Sequence, residues 1–195
     1  MNNRVENKIV LFESKGSNSD SLNSNDILIA EFNYAMQTAS QSNEDRVKIF
    51  QFVVANILTI AATLFFSEFA QSDFKKLMAF VFVFFMVFGV ISLLQLSRLR
   101  LAWIDSVKAM NKIKDYYITQ NESLSEAFLW RTSTIPKAKK DLSLAYLLAL
   151  SLMIINALST GIALQLIFSN YLVSILGSFI AFVVQLVIWN RVLGK

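Results

Sequence analysis

The sequence predicts an all-α membrane protein with four transmembrane helices, the first two extended into a cytoplasmic helical stalk. Three observations lead there. The 195 residues are 55% apolar and only 16% charged, against about 45–50% and about 25% in soluble domains. Four stretches are apolar over the ~20 residues a bilayer crossing needs. All 18 Lys and Arg except Lys75 and Lys76 fall in segments that four crossings place on one side.

The elements follow in order. Residues 1–25 are a polar cytoplasmic N-terminus in which Ser14 to Asn25 (SKGSNSDSLNSN) is low in complexity and read as flexible. Asp26 is a credible N-cap, and Leu28, Phe32, Ala35, Met36 and Ala39 recur on one helical face. Neither Pro nor Gly occurs between Asp26 and Phe66. The stalk 26–48 and the first span 49–66 are therefore expected to be one helix of about 40 residues, roughly 60 Å long. The second span, 77–97, is Phe-rich and continues in helical spacing through Leu99, Trp103, Val107 and Met110. The stripes of the two protruding helices should bury against each other. Glu31, Glu44 and Asp45 on one should pair with the basic residues of the other, with further burial against Leu124, Phe128, Leu129 and Trp130 of a short helix in SLSEAFLWR or against neighbouring subunits.

A basic helical connector, 98–141, leads to the third span, 142–168, and the fourth, 172–190, separated from it by Ser169 to Tyr171. The asymmetry of basic residues is expected to place both termini and the connector in the cytoplasm. The polar opening shows no secretory signal, so the first span is a retained anchor.

Composition excludes much chemistry. With no Cys and no His, disulfides, thiolate or imidazole metal sites and Ser-His-Asp or Cys-His catalysis are ruled out. The phosphate-loop, dinucleotide and zinc-protease motifs do not occur. The adjacent Glu44 and Asp45 point to different helix faces and make no catalytic pair. The chain is read as a non-enzyme without cofactor or metal.

No ionisable side chain lies deep in any span, which disfavours a proton pump or voltage sensor. Neutral polar residues do recur at helical spacing. Asn56, Thr59 and Thr63 on the first span are candidates to line a pore between copies. Ser174, Gly177, Ser178, Ala181 and Gln185 on the fourth read as a helix-packing face, joined by Ser151, Asn156, Thr160 and Gln165 on the third. Outside the membrane, Arg98, Arg100, Trp103, Lys108, Lys112, Lys114 and Trp130 are candidates to contact a cytoplasmic partner protein or a nucleotide or oligonucleotide signal. The alternative is that they serve orientation and lipid headgroup contact.

Two strings carry a resemblance. TASQSNEDRVKIFQF at Thr38 to Phe52 and RLRLAWIDSVKAMNKIKDYYI at Arg98 to Ile118 resemble small bacterial multi-pass proteins. The plan of a stalk helix entering a membrane hairpin resembles the SLATT-type membrane effectors of bacterial conflict systems. That resemblance implies a homo-oligomeric, pore-forming or membrane-disrupting effector of antiphage defence, released by a nucleotide-derived signal or a partner. Four spans instead of two are the departure from that pattern. The competing expectation is a non-conducting membrane anchor or scaffold that docks a soluble partner.

Overall fold

The structure, a computed structural model, describes residues 23–66, 72–140 and 142–194, with the side chains at 56, 59–66, 72 and 73 outside that description. The expected flexible segment before Asn23 and residues 67–71 of the expected first outer loop lie outside the described residues, and the rest of that loop, 72–76, is already part of the second helix.

Among the described residues the fold is made of four α-helices: α1 (Ser24–Phe66), α2 (Ser72–Gln120), α3 (Leu144–Phe168) and α4 (Tyr171–Leu193). Among the described residues three of them, α2, α3 and α4, are long and apolar enough to cross a membrane, so the expectation of four is met in part. The expected first span lies on α1, where the side chains of Asn56, Thr59 and Thr63 lie outside the described residues.

Helix α1 starts earlier than Asp26. The Asn23 side chain accepts from the Asn25 N–H at 3.2 Å, the role of an N-cap. Asp26 instead sits in the first turn, where its charge complements the helix dipole. The face toward α2 is a stripe spaced alternately by three and four residues, Phe32, Ala35, Ala39, Ser42, Arg46 and, two turns on, Val53; all but Phe32 are buried. The small Ala35, Ala39 and Ser42 let the two helices approach closely. Met36, expected on this face, is half exposed.

The expected ion pairs between α1 and α2 do not form among the described residues. Glu44 and Asp45 lie near Lys48 on their own helix, and Lys108 pairs with Asp105 on its own. The carboxylates stand beside the buried stripe rather than on it, and short contacts to same-helix lysines are closer to hand. Helix-to-helix recognition runs instead through aromatic rings, with Lys114 5.8 Å from the Phe32 ring centre and Arg46 5.9 Å from that of Trp103.

The connector is a correction as well. Helix α2 continues to Gln120, but the described remainder of the connector, 121–140, is not helical beyond two 3-10 turns, Glu122–Ser125 and Thr132–Thr134. Asn121 explains the break: its side chain accepts from both the N–H and the hydroxyl of Ser123, a local bond that competes with continuing the helix. The segment becomes a strap tied back to α2, the buried Asn111 amide donating to the Arg131 carbonyl at 2.9 Å. Leu129 and Trp130, expected to cover the stalk, are 86% and 66% exposed.

Helices α3 and α4 form the expected tight hairpin, shorter at its start because Leu142 takes a left-handed backbone (φ 57°) and Ser143 caps α3. Ser169 ends α3 in the same region (φ 51°), and Asn170 caps α4 by accepting from the N–H groups of Leu172 and Val173. The sequence-derived packing face is turned inward. Ser174 donates to the Gln165 side chain at 3.0 Å, and Asn156 donates to Gln185 at 2.8 Å. A Cβ at Gly161 would fall on the Ser178 hydroxyl and one at Gly177 on Leu164, so both glycines serve close contact. Ala181 accepts through its carbonyl from Gln185. Gly89 of α2 completes the seam, since a Cβ there would overlap the Asn156 amide. Beside this polar seam lies the apolar core of Val53, Leu93, Leu96, Leu152, Met153 and Trp189. The outer faces are apolar, with Phe80, Ile175 and Phe179 exposed as a lipid-facing surface requires.

Candidate functional site

Beyond the membrane-length bundle, the first half of α1, the last two dozen or so residues of α2 and the strap form a head. Its centre is Trp103. Uninterrupted helix past Ser97 carries Arg100 and Trp103 one turn apart, so the Arg100 guanidinium lies 4.8 Å from the indole centre while Arg46 reaches the same ring from α1. Both arginines are nearly fully buried, at 4% and 6% exposure.

Their partners are neutral. Arg46 donates through Nε to the Ser42 carbonyl at 3.1 Å and through Nη2 to Asn43 Oδ1 at 2.7 Å. Arg100 donates through Nε to the Ala138 carbonyl at 3.4 Å, fastening the strap. Neither has a carboxylate partner among the described residues. Burial lowers the pKa of both, and the positive Arg100 lowers that of Arg46 further; an arginine remains protonated all the same. Two like charges held around one aromatic ring give this end of the head a positive potential.

A cavity of about 440 Å³ opens against Trp103, within the range of small-ligand pockets. Its walls include Trp103, Met110, Asn111 and Lys114 from α2 and Trp130 and Lys140 from the strap. Two tryptophans give it aromatic walls and Lys140, with Lys114 shared with the cavity beside Phe32, gives it positive charge, a set that suits an anionic ligand with an apolar or aromatic body. A smaller cavity of about 210 Å³, lined by Leu28, Ile29, Phe32, Ile113, Tyr117 and Phe128 together with Lys114, lies between α1 and α2 toward the head's far end.

Of the residues singled out by sequence, the structure gathers Trp103, Lys114 and Trp130 at one cavity, with Arg100 behind the shared indole. Arg98 lies apart, in a groove with Asp45, Lys48 and Gln95. Lys108 and Lys112 are exposed and line neither head cavity. Sequence reasoning missed Arg46, Asn111 and Lys140. Arg46 had a readable signal, because it continues the spacing of Ala35, Ala39 and Ser42. Lys140 had none, since only the folding back of the strap brings it to α2. Comparison with protein-family models, with curated proteins and with solved structures gives no match.

Proposed function

We propose that this chain is an oligomeric inner-membrane effector of a bacterial conflict system, with a cytoplasmic head as its input and the membrane bundle as its output. One observation carries the reading. Helix α2 is a single helix of 49 residues, and it bears both the cavity wall at Trp103 and Lys114 and the membrane seam at Gly89. A tilt or rotation imposed on the head is therefore imposed on the bundle. Basic residues flanking the spans orient the head toward the cytoplasm, and α1 supplies the fourth crossing.

Between α3 and α4 Asn156 bonds Gln185 and Ser174 bonds Gln165, while Ser151, Ser159, Thr160 and Ser178 donate to carbonyls of their own helices, so in this reading water crosses between copies along Asn56, Thr59 and Thr63. Expression in cells should depolarise the membrane and slow growth. Replacing Thr59 and Thr63 by Leu should abolish both effects at unchanged protein level. Depolarisation equal to the parent's in that double variant would remove α1 as the pore wall.

A second reading, the non-conducting anchor, is favoured by the closed seam together with the exposed Leu129 and Trp130 of the strap, which would dock a soluble protein. Reconstituted protein that never passes ions in liposomes, with or without its genomic neighbours, would select it.

A further inference from the structure

We propose that the head carries the two halves of a head-to-tail contact between copies, the Ile27, Glu31 and Tyr34 flank of α1 meeting the Lys112 and Tyr116 face of α2 in the next copy. The inference rests on the oligomeric reading and names its interface.

Three features converge. The first is exposure of the wrong kind for water. Ile27 and Tyr34 are 50% and 66% exposed, and Tyr116 is 48% exposed, although all three stand on the part of the chain beyond the membrane-length apolar runs. Ile27, Glu31 and Tyr34 are spaced by four and three residues and share one flank of α1, beside the stripe that faces α2. Tyrosine is among the residue types that anchor protein contacts.

The second is charge. Glu31 and Lys112 are both exposed, and neither forms an ion pair among the described residues, whereas Glu44, Asp45 and Asp105 each meet a lysine of their own helix. The α1 flank thus presents the negative Glu31, and the α2 face presents the exposed Lys112 with the half-buried Asp115 at its edge. Two copies of the α1 flank repel each other and a mixed pair attracts, which selects against a symmetric contact.

The third is height above the membrane. Copies inserted in one orientation are related by an axis along the membrane normal, so residues that meet must stand at the same level. The antiparallel register of α1 and α2 fixes those levels. Tyr117 donates to Asn25 at 3.4 Å, and Lys114 lies over Phe32. Ile27 is therefore level with Tyr116, and Glu31 with Lys112, to within about one helical turn of 5.4 Å. Two different surfaces matched in height and apolar character, with Glu31 opposite Lys112, make a heterologous contact, which builds assemblies of more than two copies and closes into a ring where the rotation per copy divides a full turn.

The chain has no Cys, so engineered thiols report without background. One tagged chain carries Ile27→Cys and a second, differently tagged and co-expressed, carries Tyr116→Cys. A short bismaleimide added to membranes should join the mixed pair and neither like pair. Tyr34→Cys is a second probe of the same flank and should also join to Tyr116→Cys. Adding Glu31→Lys to the first chain should lower the mixed yield severalfold, and Lys112→Glu in the second should restore it. Crosslinking of like pairs, or none from a particle that mass photometry shows to be multimeric, overturns the interface while leaving the oligomer intact. A monomeric particle overturns both.

Discussion

Trp103 shows most clearly how one side chain can organise a head. Its ring is shared by two buried guanidinium groups, and such contacts contribute about 0.5–2 kcal/mol each. Trp103→Leu should therefore lower the thermal midpoint in detergent clearly, and Trp103→Phe less, as followed by loss of soluble protein after heating. The Asn156 to Gln185 bond acts similarly within the membrane. Gln185→Leu leaves the Asn156 amide unpaired and should cost about 1 kcal/mol. The double change to Leu at both positions should cost less than the two single changes together, provided the neighbours at Gly89 adjust. At this scale the sequence was informative about type and weak about partner. Trp103, Lys114 and Trp130 were legible as aromatic and basic residues in a segment outside the apolar runs. That Arg46 faces Trp103 depends on which stripe of α1 meets α2, and the spacing of small residues showed that stripe only once it was extended through Ser42.

Helices were legible wherever apolar spacing ran uninterrupted. The long α1 and α2, their antiparallel pairing and the α3 to α4 hairpin all follow from the scarcity of Pro and Gly and from polar residues placed at turns. The strap was not legible, because SLSEAFLWR has helical spacing and its departure from helix is enforced by single bonds at Asn121 and Asn111. The fourth span's small-residue face was readable as a packing surface, but no feature of its spacing told a contact within the chain from one between chains. The structure turns it toward α3. The hairpin offers a test of this element. Ser169 holds a left-handed backbone at φ 51°, a conformation that costs a residue with a Cβ about 1 kcal/mol or more. Ser169→Gly should be tolerated or slightly stabilising, and Ser169→Val destabilising by about 1–2 kcal/mol, measured by unfolding in mixed detergent. Gly161→Leu should separate α3 from α4 and fail to accumulate in membranes.

For the whole molecule, the distribution of charge and of exposed apolar surface leads to orientation and assembly. The basic residues predict a cytoplasmic head. A single Cys at Asn170 should react with an impermeant reagent from outside intact cells, and one at Asn121 should be protected; the reverse pattern would invert the protein. Exposed apolar residues on α2 and α4 suit lipid, whereas Ile27, Tyr34, Tyr116 and Trp130 lie exposed on the head, where the proposed contacts between proteins would cover them. Assembly of copies is the claim on which the rest depends, since a channel between subunits and a head that controls it both require more than one chain. The mass of the particle in native nanodiscs measures it directly. The 22.1 kDa chain should appear as one discrete multiple of at least three copies, unchanged on dilution across the accessible range. A particle holding a single chain at every concentration would contradict the account.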